Sequence, residues 1–112
     1  MTQPPDPPII VLVEWQAADM GVEDAEAMAQ DTLAVLRQVP GLTEARIFGD
    51  FESGLHCFLL TWRNREAMDR YMASDAMHAV RGAAMPFVTG KPTRRVFVDY
   101  GAAGADEAVD PR

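Results

Sequence analysis

The sequence predicts an α+β domain of the split β-α-β, ferredoxin-like type: a four-stranded antiparallel sheet with two helices on one face. Three observations lead there. Apolar, β-branched runs open and close the apolar part of the chain, IIVLVEW at 9–15 and RRVFVDY at 94–100. Two stretches, 23–39 and 65–88, repeat apolar residues at three- and four-residue steps. Between them lie two further strand-like runs, EARIFGD (44–50) and LHCFLLTW (55–62). The order strand, helix, strand, strand, helix, strand defines this topology.

The first strand is short and apolar at both parities, as a strand covered on both faces must be. In the first helix Ala25, Met28, Ala29, Thr32, Leu33, Leu36 and Val39 form the buried stripe. Its opening turn is acidic, where the helix dipole favours carboxylates, and Pro40-Gly41 stops it. DFESG (50–54) holds the turn into the third strand. There His56, Phe58, Leu60 and Trp62 share one face, and Cys57, Leu59 and Thr61 the other.

Asn64 is placed to cap a helix whose apolar side carries Ala67, Met68, Tyr71 and Met72. Ser74-Asp75 offers a second cap, so this helix should break or jog there. The pattern resumes through Val88, interrupted near Pro86. Gly90-Lys91-Pro92 reads as a connector into the last strand.

A chain of 112 residues is one domain, and 48% hydrophobic residues suffice for a packed core. The folded part is expected at 9–100. The proline-rich stretch 1–8 and the small, acidic stretch 101–112 are expected to be disordered tails. A net charge of −7 repels phosphate backbones and anionic bilayers, so neither nucleic acid nor membrane is an expected partner. No apolar run is long enough to span a bilayer, and MTQPPDPP lacks the features of a signal peptide. A lone cysteine, Cys57, agrees with a reducing compartment; the expected location is cytoplasmic. Because the sheet is apolar on both faces, the face bearing Cys57, Leu59 and Thr61 should be covered by a second copy, giving a homodimer.

The VPGL after the first helix, the block LLTWRNREAMDRYMASDAMHAV and the closing RRVFVDY resemble the dimeric α+β barrel superfamily. That group includes the antibiotic-biosynthesis monooxygenase family and the stress-responsive (Dabb) family. The resemblance covers 9–100 and implies a cavity between sheet and helices that takes a small aromatic or polyketide ligand. Haem-degrading members carry a helix-two histidine where this chain has Arg81, and a strand-one asparagine that it lacks. Against the plant polyketide cyclase of the Dabb family, His56 falls on a pocket histidine and Tyr71 on a catalytic tyrosine. His78 lies one residue beyond that enzyme's catalytic histidine, and Ser74-Asp75 replaces its His-Pro pair. Trp62 and the SDAM wording look like the cofactor-free monooxygenases, which oxidise phenols or quinols with dioxygen.

The resemblance thus implies His56, Tyr71 and His78 as catalytic candidates, and Phe58, Trp62 and Met68 as substrate-binding ones. His56, Trp62 and Tyr71 are expected to line one cavity with His78 at its mouth. In an unbroken helix Tyr71 and His78 would share a face about 10 Å apart. The bland alternatives are a core histidine at 56, an exposed one at 78 and packing roles for Trp62 and Tyr71. No glycine-rich phosphate loop, Ser-His-Asp set or spaced metal ligands are visible, so no metal, flavin or haem is expected. The expected function is a cofactor-independent monooxygenase of secondary metabolism. The alternatives are an aldol-type polyketide cyclase and a non-catalytic, stress-related binding barrel.

Overall fold

The computed structural model describes residues 6–17 and 19–104. Its elements are β1 (Ile9–Ala17), α1 (Val22–Leu36), β2 (Leu42–Asp50), β3 (Leu55–Trp62), α2 (Arg65–Met72), α3 (Asp75–Ala84) and β4 (Val88–Val98). A 3-10 turn, Met85–Phe87, joins α3 to β4. The strands form one antiparallel sheet in the order β2-β3-β1-β4, the ferredoxin-like arrangement that the sequence predicts. The two most apolar strands, β1 and β3, take the centre, where both backbone edges are paired.

Register decides which side chains meet. Ile9 pairs with Trp62, Val11 with Leu60, Val13 with Phe58 and Trp15 with His56. These residues form the helix-covered face and join Met28 and Leu36 of α1, and Met68 and Tyr71 of α2, in one core. The opposite face carries Ile10 and Leu12 of β1 beside Cys57, Leu59 and Thr61 of β3. Phe48 and Phe97 flank it at 48% and 44% exposure. Glu14 and Arg95 form an ion pair across it. Within one chain this apolar face has no cover.

α1 stops at Leu36, earlier than the expected Val39. The amides of Gln38 and Val39 bond to Val35 and Leu36, tightening the chain out of the helix. Gly41 then turns with φ +83°, and a Cβ there would overlap the Ala67 methyl. The end of α1 is thereby held against the start of α2. Asn64 caps α2 by accepting from the Ala67 amide at 2.9 Å. The Ser74 hydroxyl donates to the Tyr71 carbonyl at 2.6 Å and accepts from the Met77 amide at 3.3 Å. The expected break is thus a full restart, with its own cap and its own helical phase.

The last strand departs from expectation. β4 begins at Val88 rather than Arg94, so Gly90-Lys91-Pro92 is strand and not connector. An edge strand tolerates Pro92, which has no amide to donate. Gly90 takes φ +75°, and the register with β1 shifts between Glu14 and Gln16, as at a bulge. The helical pattern correspondingly ends at Ala84, short of Val88. Residues 6–8 and 101–104 carry no helix or strand, and the rest of both expected tails, 1–5 and 105–112, lies outside the described residues.

Candidate functional site

Trp62 ends β3 and is fully buried, at 0% exposure. The Asn64 cap turns the chain into α2, and the apolar stripe of that helix brings Tyr71 back onto the indole. The two ring centroids lie 5.0 Å apart, with their planes at 36°. Burial pushes the Tyr71 phenol up to about 12, so at neutral pH it is a protonated donor. Its hydroxyl has no hydrogen-bond partner among the described residues.

This pair walls a cavity of about 330 Å3 between the sheet and α2–α3. Val11, Val13, Trp15, Phe58, Leu60 and Trp62 supply the sheet side; Tyr71, Met72, Met77, Val80 and Ala84 supply the helical side. Arg81, Lys91 and Arg94 line it as well, and all three are exposed. Its size and apolar walls suit a small planar ligand. Methionines at 72, 77 and 85 keep that wall adaptable. Both Trp15 and Trp62 carry a buried indole N–H with no partner among the described residues. Buried donors are normally satisfied, so these two indoles, whose residues both line the cavity, make it a candidate binding site.

Among the described residues the lining contains no histidine, cysteine or carboxylate. Among the described residues no three metal-ligating side chains of that kind cluster anywhere. A larger groove of about 490 Å3 runs between α1 and the α2–α3 junction, past Val35, Gln38, Val39 and Pro40, with Tyr71 as shared wall. It holds neither indole, and its cation, Arg70, is already paired with Glu66. The chemistry favours the smaller cavity.

Of the residues expected at the site, Phe58, Trp62 and Tyr71 come together on this cavity. Met68 is buried in the core and does not line it. His56 does not line it either. Its ring stacks on Trp15 (5.0 Å, 28°), meets Phe51 edge-on and lies over Gly49, where a Cβ would overlap the imidazole. Shared parity put His56 and Trp62 on one face, but six residues of strand separate them by about 20 Å. Trp15, itself a cavity wall, is the residue His56 packs against. Burial lowers the His56 pKa below its ordinary 6.5, partly opposed by the Asp50 carboxylate.

His78 is exposed. Because Ser74 restarts the helix, the inward stripe of α3 is Met77, Val80, Arg81 and Ala84, and position 78 falls one residue off it. The expected place for His78 at the cavity mouth is therefore taken by Arg81. Sequence reasoning missed Trp15, although it shares parity with Ile9, Val11 and Val13. It also missed Lys91, because a Gly-Lys-Pro triplet reads as loop, and Arg94, which it placed on the last strand without a part in the cavity.

The architecture is that of dimeric ferredoxin-like α+β barrel proteins, and its structural neighbours include antibiotic biosynthesis monooxygenases at low sequence identity. The cofactor-independent oxygenase SnoaB of Streptomyces nogalater superposes with a TM-score of 0.70 at 12% identity, over 86% of this chain and 96% of its own. A candidate antibiotic biosynthesis monooxygenase of Caulobacter crescentus gives 0.71 at 18%, over 86% and 92%. A dimeric ferredoxin-like protein of unknown function from Thermobifida fusca gives 0.70 at 10%, over 83% and 92%. No family model matches the chain, and no curated protein matches it significantly. At such identities the likeness establishes the fold alone.

Proposed function

We propose that this protein is a small-molecule oxygenase acting on an electron-rich aromatic, a phenol or quinol of the polyketide kind, with dioxygen and no bound cofactor. The observation that carries this reading is the Trp62–Tyr71 pair walling an apolar cavity between the sheet and α2–α3. The oxygenase activity of SnoaB, on the same fold, supports it.

In this reading the substrate ring lies against the aromatic wall, and its oxygen accepts from the Tyr71 hydroxyl. A phenol that stays protonated to about 12 stabilises a developing oxyanion without surrendering its own proton. Among the described residues no imidazole or carboxylate lines the cavity, so the substrate proton passes to water. The substrate anion gives one electron to dioxygen, the substrate radical and superoxide combine into a peroxide anion on a ring methylene carbon, and a proton returned from water completes the hydroperoxide. Loss of water leaves a carbonyl: one oxygen atom stays in the product and the other departs as water.

The assembly in this reading is a homodimer, sheet against sheet, because Ile10, Leu12, Leu59 and the half-exposed Phe48 and Phe97 otherwise meet water. The dimeric state of the Thermobifida fusca neighbour supports that arrangement.

An oxygen electrode tests the activity, with an anthrone as substrate and a chelator present. The proposal expects oxygen uptake well above the uncatalysed rate and matched to carbonyl formation, with none under argon. Turnover of a linear polyketide under argon would favour an aldol cyclase instead, with Tyr71 holding the carbonyl. Saturable binding without any turnover would favour the non-catalytic barrel.

A further inference from the structure

The protein carries a net charge of −7, yet every charged side chain lining the aromatic cavity is a cation. Arg81 comes from the inward stripe of α3, Lys91 from the irregular part of β4, and Arg94 from its regular part opposite Val13. Three other arginines are paired, Arg46 with Glu44, Arg70 with Glu66 and Arg95 with Glu14, whereas Arg37, Arg63 and Arg65 form no ion pair among the described residues and line no part of this cavity. Among the described residues Arg81, Lys91 and Arg94 have no carboxylate partner. The Arg94 guanidinium instead donates to the Met72 sulfur at 3.5 Å, which sets it against the helical wall. The cavity therefore has walls of two different chemistries. Its buried walls are aromatic, with Trp15 toward one end of the strands and Trp62 toward the other, while three unpaired cations stand exposed on α3 and the edge strand β4.

We propose that this exposed, cationic side is a carboxylate subsite, so that the ligand is an aromatic acid: a planar ring against Trp62 and Tyr71, and a carboxylate between Arg81 and Arg94, with Lys91 adding charge. Arginine suits this role because its planar fork matches a carboxylate in two parallel hydrogen bonds. Selection arises because a neutral isostere leaves those cations without a counter-charge. The inference rests on the cavity being the ligand site, and it requires no oxygen chemistry.

Trp15 and Trp62 are the chain's two tryptophans and both line the cavity, so intrinsic fluorescence reports occupancy directly. The probes are naphthalene-2-carboxylate and naphthalene-2-carboxamide, which share shape and differ in charge; neither is oxidised by dioxygen. The carboxylate is expected to bind about tenfold tighter or more, the scale of a charge-assisted pair. That preference should shrink as salt is raised. In Arg81→Gln/Arg94→Gln it should fall to within about twofold, while the carboxamide affinity stays put. The charge-matched control Arg37→Gln/Arg65→Gln should keep the preference. Equal binding of the two probes, no quenching by either, or a preference that survives the Arg81/Arg94 double change overturns the subsite. Because the probes are inert to oxygen, a failed oxygenase assay leaves this result standing, and the reverse also holds.

Discussion

Tyr71 lies on Trp62 with ring centroids 5.0 Å apart, and among the described residues it brings the only phenol to the cavity wall, with Thr93 carrying the other hydroxyl. The contact depends on local chemistry at the β3–α2 turn. Asn64 caps the helix one residue before it begins, which sets its phase and turns position 71 toward the sheet. A shift of one residue in that start would rotate Tyr71 by about 100° and remove it from the cavity.

Tyr71→Phe separates catalysis from packing. The hydroxyl has no partner among the described residues, so its loss should change stability by less than about 0.5 kcal/mol. If the hydroxyl stabilises an oxyanion, turnover should fall by about 10²-fold. Thermal denaturation and steady-state kinetics on the same preparation check both halves. The ultraviolet titration should also lose a tyrosinate step near about 12. Unchanged turnover would remove Tyr71 from the chemistry.

His56 predicts a pH dependence of stability. Its folded pKa is held below 6.5 by burial, so below that pH the unfolded chain binds more protons than the folded one. Its stabilising contribution is present above 6.5 and is lost as the pH falls through the folded value. Urea unfolding from pH 7 to 5 should show that loss, and His56→Phe should flatten it. Asp50 acts in a separate window. Its carboxylate is held below 3.8, chiefly by the Ser53 hydroxyl, so its contribution disappears only in stronger acid.

Leu59 tests the sheet-to-sheet dimer. It lies beside Cys57 and Thr61 on the uncovered face, opposite Leu12. Light scattering at micromolar concentration should give twice the chain mass for the native protein. Leu59→Glu places a charge at the centre of that face and should yield monomer or unfolded chain. A native monomer would contradict the assembly.

The sheet, its helices and most strand parities were legible because they follow from side-chain periodicity over many residues. The Trp62–Tyr71 contact was legible too, since strand parity and helix stripe both point to one space. What failed was position along an element. Parity placed His56 on the correct face but at the wrong end, beyond Trp15. Spacing placed His78 in line with Tyr71, but the Ser74 cap restarted the helical phase. Lys91 escaped because Gly90 and Pro92 resemble a loop, and only the pairing of Val88 and Thr89 with β1 carries the strand back past it, whereas Arg94 was placed on the last strand but given no part in the cavity.

The central claim is that the aromatic cavity transfers one atom of dioxygen to its substrate. Turnover of an anthrone with isotopically labelled dioxygen, followed by mass spectrometry of the product, measures this directly. The account predicts one labelled oxygen in the new carbonyl, one in the released water, and formation slowed by Tyr71→Phe. A product carbonyl carrying oxygen from solvent water, shown not to arise by exchange, or the same rate in Tyr71→Phe as in the native protein, would contradict it.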